Sequence, residues 1–439
     1  MKSINKLITV LLFTPIVTMS GQNAVMHQPT DSMNLSSVLN EVIKNYPSIL
    51  KAEKELDASD AKIGLANSAY FPDINITSSY AHLGPVSSIT IPNMGTFQLF
   101  PGDNYSAALN INQSIYDFGK TAKNIAFEKQ SKDMTKLAVE QIKQGLSQRV
   151  VGVYYSIVFL QDAIKIKDDE LATLNEHLRY VQKKAETGSA TQYEILTTKV
   201  RISSIENQKT DIQTSLQVLQ SQMNSLIGKP QDNKVLLKKD LNVSEIILPA
   251  DSLFAYAFEH RDEMKMARQK TEMAKTRYQM VSTQNNPALN FFANGGLKNG
   301  YLPDLSALTP NYTVGVGLKI PIYDANRTKY SKLQVKANME GNDQDTELAK
   351  RNIVNEVVES RANALAALKK VSQSELQLQQ SQDAYSLAET NFEAGAITNL
   401  DLLESYTAVA ETKLVLLKTK IDYTVSLLKL KIAVGEQIY

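Results

Sequence analysis

The sequence predicts a mostly α-helical chain with a β-barrel part, built as two tandem structural repeats. Three observations carry this. The chain matches itself at a fixed offset: Tyr105, Ile115-Tyr116-Asp117, Glu186-Thr187-Gly188 and Gly228 are answered by Tyr312, Ile322-Tyr323-Asp324, Glu393-Ala394-Gly395 and Gly435, all 207 residues on. Each copy holds about 68 residues without a proline, enough for a helix of roughly 100 Å. Ahead of each such stretch lie ~10-residue segments of alternating apolar and polar residues, the length and pattern of a tilted strand that crosses a bilayer.

In chain order, residues 1–21 read as a signal peptide. Lys2 and Lys6 precede an apolar run from Leu7 to Val17, and the small residues Ser20 and Gly21 follow it. The run is too short for a comfortable transmembrane helix; a short N-terminal anchor is the alternative. No later stretch reaches ~20 apolar residues, so a membrane-spanning part would have to be β. Charge is balanced, 47 Lys plus Arg against 46 Asp plus Glu, which argues against a nucleic-acid partner. The absence of cysteine excludes disulfides, thiolate metal sites and a lipidated cysteine.

The first repeat spans 22–228 and the second 251–439, with a polar inter-repeat linker, the expected equatorial region, at 229–250. Each opens with a helical stretch, Leu35 to about Ala69 and Asp251 to about Gln284, ended by Pro72 or Pro287. Here Tyr46-Pro47-Ser48-Ile49 aligns with Arg261-Asp262-Glu263-Met264, and the prolines align too, at an offset of 215. The first copy is therefore about eight residues longer between Pro72 and Tyr105.

Strands are expected at about 73–117 and 288–324. Tyr312, Val314, Val316, Leu318 and Ile320 share one face; Thr313, Gly315, Gly317 and Lys319 share the other. Tyr105, Ala107, Leu109, Ile111 and Ile115 repeat the apolar face in the first copy. A soluble sandwich with one wet face would give the same alternation. Four strands cannot close a barrel, and an open edge is not tolerated in lipid. A barrel would need a closed symmetric oligomer, and two, three or four copies would give 8, 12 or 16 strands, all permitted numbers.

Helical hairpins are expected at about 120–228 and 327–435. Apolar residues follow a 3-4 spacing, as in Val150, Val153, Ile157, Leu160 and Ile164, or Ala410, Leu414, Leu417, Ile421 and Leu428. A narrow seam of this kind suits coiled-coil partners. Such helices can form a hollow tube or a solid rod. Gly188 and Gly395 stop the long helices, and Thr191 and Thr398 stand as N-caps for the returning ones. They read as ordinary hairpin turns or as an exposed tip available to a partner, two readings that are compatible.

His27, His82, His177 and His260 lack metal-ligand spacing, so each reads as solvated or structural. No Gly-x-Ser-x-Gly or phosphate loop occurs. Gly315-x-Gly317 leads into no helix and reads as barrel wall. A structural coiled-coil envelope protein and a periplasmic adaptor without a pore are the competing classes; strand pairs in both halves favour a conduit.

From about Leu35 to Gly435, order, repeat and motifs resemble the outer-membrane efflux protein family, the TolC-like outer membrane factors. The Gly-x-x-Thr-x-x-Asp-Leu-Leu run from Gly395 to Leu403 is similar to the family's periplasmic-tip motif; Gly188 to Leu196 is a weaker copy with Glu194 in the acidic place. Ile115 to Gly119 resembles its strand-to-helix junction, and Ile322 to Asn326 departs from it by losing Phe-Gly. The resemblance implies a homotrimer in the outer membrane of a Gram-negative bacterium, with a 12-stranded barrel and an α-helical barrel reaching into the periplasm. It implies a passive conduit for a tripartite efflux or type I secretion system, docking a periplasmic adaptor (membrane fusion) protein and an inner-membrane pump, with no catalytic residue, cofactor or metal. The tip turns at Gly188, Thr191, Gly395 and Thr398 would dock the adaptor. Asp401 and Glu404 share a helix face, and with Glu194 they would ring the periplasmic entrance, as acidic rings do in cation-selective pores. A solvated helix N-terminus also favours acids. In better-known members an acidic residue there bonds to a Tyr and an Arg that hold the entrance shut; here Phe392 and Ile397 stand at those places. Packing of Phe392 is then the candidate contact for a closed state. The exported substrate is not legible.

Overall fold

The computed structural model describes residues 32–241 and 249–439. The expected signal peptide and part of the linker lie outside them. The single helix expected at each repeat's start is in fact two. α1 (Leu35–Asn45) and α2 (Pro47–Ser68) meet at Tyr46, and α5 (Ala250–His260) and α6 (Asp262–Ser282) meet at Arg261. Both junction residues are extended, with ψ of 127° and 132°. At Tyr46 the cause is local, since a following proline disfavours helical backbone while itself suiting the first helical position. At Arg261 there is no proline; Asp262 and Glu263 in the first turn of α6 favour a helix start.

Four strands form one antiparallel sheet in the order β1 (Asp73–His82), β4 (Asp103–Tyr116), β5 (Ala288–Lys298), β6 (Thr309–Lys319). The extra residues of the first copy become a separate hairpin between β1 and β4, made of β2 (Ser88–Ile91) and β3 (Gly95–Gln98). Among the described residues both edges of the sheet, β1 and β6, are unpaired. The register puts Ile76, Leu109, Gly295 and Tyr312 in one row of the apolar face, and Asn75, Asn110, Asn294 and Thr313 in one row of the polar face. A β-bulge between Ser114 and Tyr116 corrects one expectation: past it, Tyr116 and not Ile115 pairs with Leu289. One extra residue in a strand flips every side chain beyond it.

The long helices α3 (Lys120–Glu186) and α7 (Arg327–Glu393) are 67 residues each, and α4 (Gln192–Ile227) and α8 (Asn399–Ala433) return alongside them. Each long helix leaves the sheet through two left-handed residues, Phe118-Gly119 and Ala325-Asn326. Asn tolerates that conformation better than most residues, so the junction survives the loss of Phe-Gly. Asp117 and Asp324 accept from the backbone N–H of Thr121 and Thr328 at 2.7 and 2.9 Å. Hydrogen bonds from Thr328 and Asn285 hold the Asp324 carboxyl at about 2.

The main apolar cluster lies where α1 and α2 meet the long helix α3 and the returning helices α4 and α8. Val38, Leu39, Ile49, Val150, Tyr154, Ile157 and Met223 are all fully buried. Side chains of this size contribute about 1.5–3 kcal/mol each when buried. The linker is less polar in effect than its composition: Val235 and Leu237 are buried in this cluster, and Leu237 bridges Met33 in parallel. Tyr154 donates to Lys238 O at 2.7 Å, which fixes the linker to α3. Among the described residues no helix is apolar enough to cross a membrane.

Candidate functional site

Two surfaces are the candidates: the sheet, and the tips of the helical hairpins at the opposite end. On the sheet, the apolar row faces outward from the chain. Ile76, Val314 and Val316 are 62–76% exposed among the described residues. Aromatic residues bracket that band. Tyr80, Tyr105 and Tyr312 lie at the end away from the helices; Tyr70, Phe71, Tyr116 and Tyr323 lie at the helix end, and all are exposed. Paired aromatic girdles around an apolar band are the signature of a strand surface that meets lipid.

The opposite face is polar and self-bonded. Asn110 donates to Asn75 and Thr77 at 3.1 and 3.0 Å, and the Ser79 and Ser106 hydroxyls are 2.8 Å apart. Phe292 is the exception on this face. Its ring lies over Gly315, where a Cβ would come within 2.7 Å of the ring, and beside Gly317, where the distance is 3.8 Å. The Gly315-x-Gly317 pair is thus the floor for an aromatic ring.

At the tips, Gly188 and Gly395 have φ of +75° and +76°, conformations L side chains rarely adopt, and they turn the chain as expected. Thr191 accepts from the backbone N–H of Glu194 at 3.3 Å. Thr398 accepts from that of Asp401 at 3.2 Å, while the Asp401 carboxylate accepts back from Thr398 N at 2.9 Å, a complete capping box. The Thr398 bonds hold the Asp401 carboxyl below the usual carboxylate range. Asp401 and Glu404 both stand exposed on α8, one turn apart, and Glu194 is half-buried.

The tips are also joined to each other, through His177 and through Asn399, which no sequence motif marks. Asn399 Oδ1 accepts from His177 Nε2 at 2.6 Å, and Asn399 Nδ2 donates towards Glu194 O, Thr197 Oγ1 and Thr198 Oγ1 at 3.3–3.4 Å. Both His177 and Asn399 are buried. One polar node therefore brings the N-termini of α4 and α8 against α3. Of the two readings open for His177, the structural one holds. Burial pushes its pKa down, against the Asn399 bond and the nearby Glu194 and Glu389 charges.

Phe392 packs at this node, 5.5 Å from the His177 ring and 6.3 Å from Tyr180, with Lys184 Nζ 5.2 Å from its centroid. It is buried within its own chain, where it ties α7 to α3. Tyr385, Tyr406 and Glu389 continue the cluster through hydrogen bonds of 2.7 and 3.2 Å around a cavity of ≈ 320 Å³. No local pattern marks this cluster, because His177 and Tyr180 near the end of α3 meet Phe392 near the end of α7 across nearly half the chain. Among the described residues no group of three His, Asp or Glu side chains could hold a metal ion.

The comparisons agree with this architecture. The sequence model of the family described as "Outer membrane efflux protein" matches residues 38–229 and 254–436. The chain is 22% identical over 410 residues to the outer membrane protein TolC of Vibrio cholerae, covering 92% of this chain and 90% of that one. It is 22% identical over 342 residues to the alkaline protease secretion protein AprF of Pseudomonas aeruginosa, covering 76% and 70%. The crystal structure of the outer membrane protein VceC of Vibrio cholerae shares the fold, with a TM-score of 0.73 at 16% identity over 92% of this chain and 97% of that one.

Proposed function

The chain belongs to the outer membrane efflux protein family, and from that premise we propose that three copies assemble into one conduit across the outer membrane and the periplasm of a Gram-negative bacterium. The protein is an outer-membrane channel subunit for efflux or type I secretion. The observation that carries this reading is the four-stranded sheet with two unpaired edges and an uncovered apolar face. Such a sheet is unstable in lipid until its edges are paired. Joining β6 of one copy to β1 of the next removes every edge, and three copies of four strands make a 12-stranded barrel, an even number in the range outer-membrane barrels use.

The hairpins α3–α4 and α7–α8 of three copies then make a helical tunnel in continuity with the barrel. Transport through it is passive; the energy comes from an inner-membrane pump reached through a periplasmic adaptor, for which the turns at Gly188, Thr191, Gly395 and Thr398 are the docking tip. In the trimer Asp401 and Glu404, with Glu194 beside them, ring the periplasmic entrance and favour cations. Phe392 supports that entrance from behind, by fixing α7 to α3 within each copy. A coiled-coil spacer or an adaptor would have no use for a sheet with an apolar outer face.

Single-channel recording of the purified trimer in a planar bilayer tests this. The wild type should conduct with cation preference. Asp401→Asn with Glu404→Gln should lower both that preference and block by multivalent cations. Wild-type values for both would remove the two carboxylates from the entrance, and absence of conductance would remove the channel.

A further inference from the structure

The β2–β3 hairpin stands apart from the main sheet. Its cross-strand pairs are sorted by polarity. Ile89 faces Phe97 and Ile91 faces Gly95, whereas Ser88 faces Gln98 and Thr90 faces Thr96. Successive strand residues point to opposite faces, so Ile89, Ile91 and Phe97 share one face and the hydroxyl and amide side chains share the other. The polar face bonds to itself through Thr90 and Thr96 at 2.8 Å. Among the described residues no other element packs on the apolar face, where Ile89 is 50%, Phe97 47% and Ile91 39% exposed. A lone two-stranded hairpin is marginal in water, and alternation this clean belongs to a ribbon with one covered face.

The position of the hairpin says what covers it. It is inserted between β1 and β4 at the end of the sheet away from the helices, beyond the outer row of tyrosines. Its base is pinned: Leu83 N donates to Gly102 O at 2.7 Å, and Asn299, buried, accepts from Tyr105 N at 2.7 Å and donates to Asp103 O at 2.7 Å. β1 is one open edge of the sheet and β6 is the other. Barrel closure therefore sets the β1–β4 connection of one copy beside the β5–β6 connection of the next. That second connection carries Leu302 and Leu308, 83% and 55% exposed. Uncovered apolar side chains thus stand on both sides of the same seam.

We propose that the β2–β3 hairpin is an inter-protomer clasp, its Ile89, Ile91 and Phe97 face lying on Leu302 and Leu308 of the adjacent copy at the outer rim. The proposal rests on the trimer reading above and deepens it. Each seam between copies is closed by strand pairing within the membrane and by one clasp outside it. The junction between β4 and β5 lies inside one chain, is already paired, and needs no clasp.

The cysteine-free sequence makes the test clean. Two differently tagged chains are co-expressed, one carrying Phe97→Cys and the other Leu302→Cys or Leu308→Cys, and outer membranes are oxidised. The native mass of the purified assembly is measured first. A trimer that yields a disulfide-linked dimer bearing both tags supports the clasp, provided Thr96→Cys, on the polar face, loses the band. A trimer with no two-tag dimer from either pairing overturns it. So does a cross-link formed only within a doubly substituted chain, or labelling of Phe97→Cys by a lipid-soluble probe in place of cross-linking. An assembly that is not a trimer overturns the reading on which the clasp rests, and the clasp with it.

Discussion

The two repeats hold one backbone by two chemistries. α3 and α7 have the same length and the same offset at both ends, and α1 and α5 likewise. At the bend between the first two helices, the first repeat uses Tyr46-Pro47 and buries Val42 and Ile49 beside Tyr154 and Ile157. The second repeat uses Arg261. Its guanidinium is 9% exposed and donates to Glu263 through two bonds of 2.8 Å, to Glu356 at 2.8 Å and to Ala433 O at 3.1 Å. On the polar face of the sheet, Asn110 bonds across to β1, while the matching Gly317 lies beside the Phe292 ring. Duplication has kept the direction of the chain and replaced the contacts that enforce it. Turns and junctions, where the backbone needs one conformation, stay in phase; packed positions drift.

The largest effect should come from the feature both repeats must share, the lipid face. Leu109→Arg and Val316→Arg occupy equivalent places and should each cost about 2–4 kcal/mol at mid-bilayer, read from urea unfolding in lipid vesicles. Gly317→Arg, on the polar face, should cost less, because its Cβ meets Phe292 at an ordinary contact distance. Equal costs at Val316 and Gly317 would break the assignment of faces, and a large difference between Leu109 and Val316 would break the equivalence of the repeats.

A smaller loss is expected where the chemistry differs. Arg261→Ala removes a buried cation and leaves Glu263 and Glu356 without it. Both partners are 36–45% exposed, so the cost should be about 2–3 kcal/mol, below that of a fully buried pair. Tyr154→Phe in the first repeat loses one hydrogen bond to Lys238 O and should cost about 1 kcal/mol. Melting temperatures of the two variants decide it; a reversed order would mean that the polar bend is the weaker of the two.

The smallest effect concerns the tip node that joins the repeats. Burial lowers the His177 pKa from its ordinary 6.5. Below that pH the unfolded chain takes up a proton that the folded one refuses, so stability should fall as pH drops through about 6.5 and be fully present above it. Melts at about pH 7.5 and 5.5 should differ less in His177→Gln than in the wild type. An unchanged difference would show that His177 is not the group that titrates.

The order of elements was legible because its signals are local. Pro72 and Pro287, Gly188 and Gly395, Thr191 and Thr398 act on their own few residues of backbone, and alternation along β6 needs only one strand. The bend at Tyr46 was also present in the sequence, as a residue before proline. The bend at Arg261 has no proline to mark it; its local signal is the weaker one of Asp262 and Glu263, and the ion pair from Arg261 to Glu356 on α7 joins residues 95 apart. The bulge at Ser114 was hidden for a similar reason: it exists only relative to β5. Of the tip, the caps were readable and the His177–Asn399 bond was not, because 222 residues separate its partners.

By itself, then, the sequence determined the repeat, the lengths of the two long helices, the turns and the amphipathic strands, all of which follow from backbone sterics and from side-chain period along one element. Only the tertiary structure decided which strands are neighbours, that the first copy's extra residues form a hairpin with an uncovered apolar face, and that Phe392 packs onto His177. Those depend on contacts between segments far apart in the chain, whose free energy is set by which surfaces meet and not by the composition of either one.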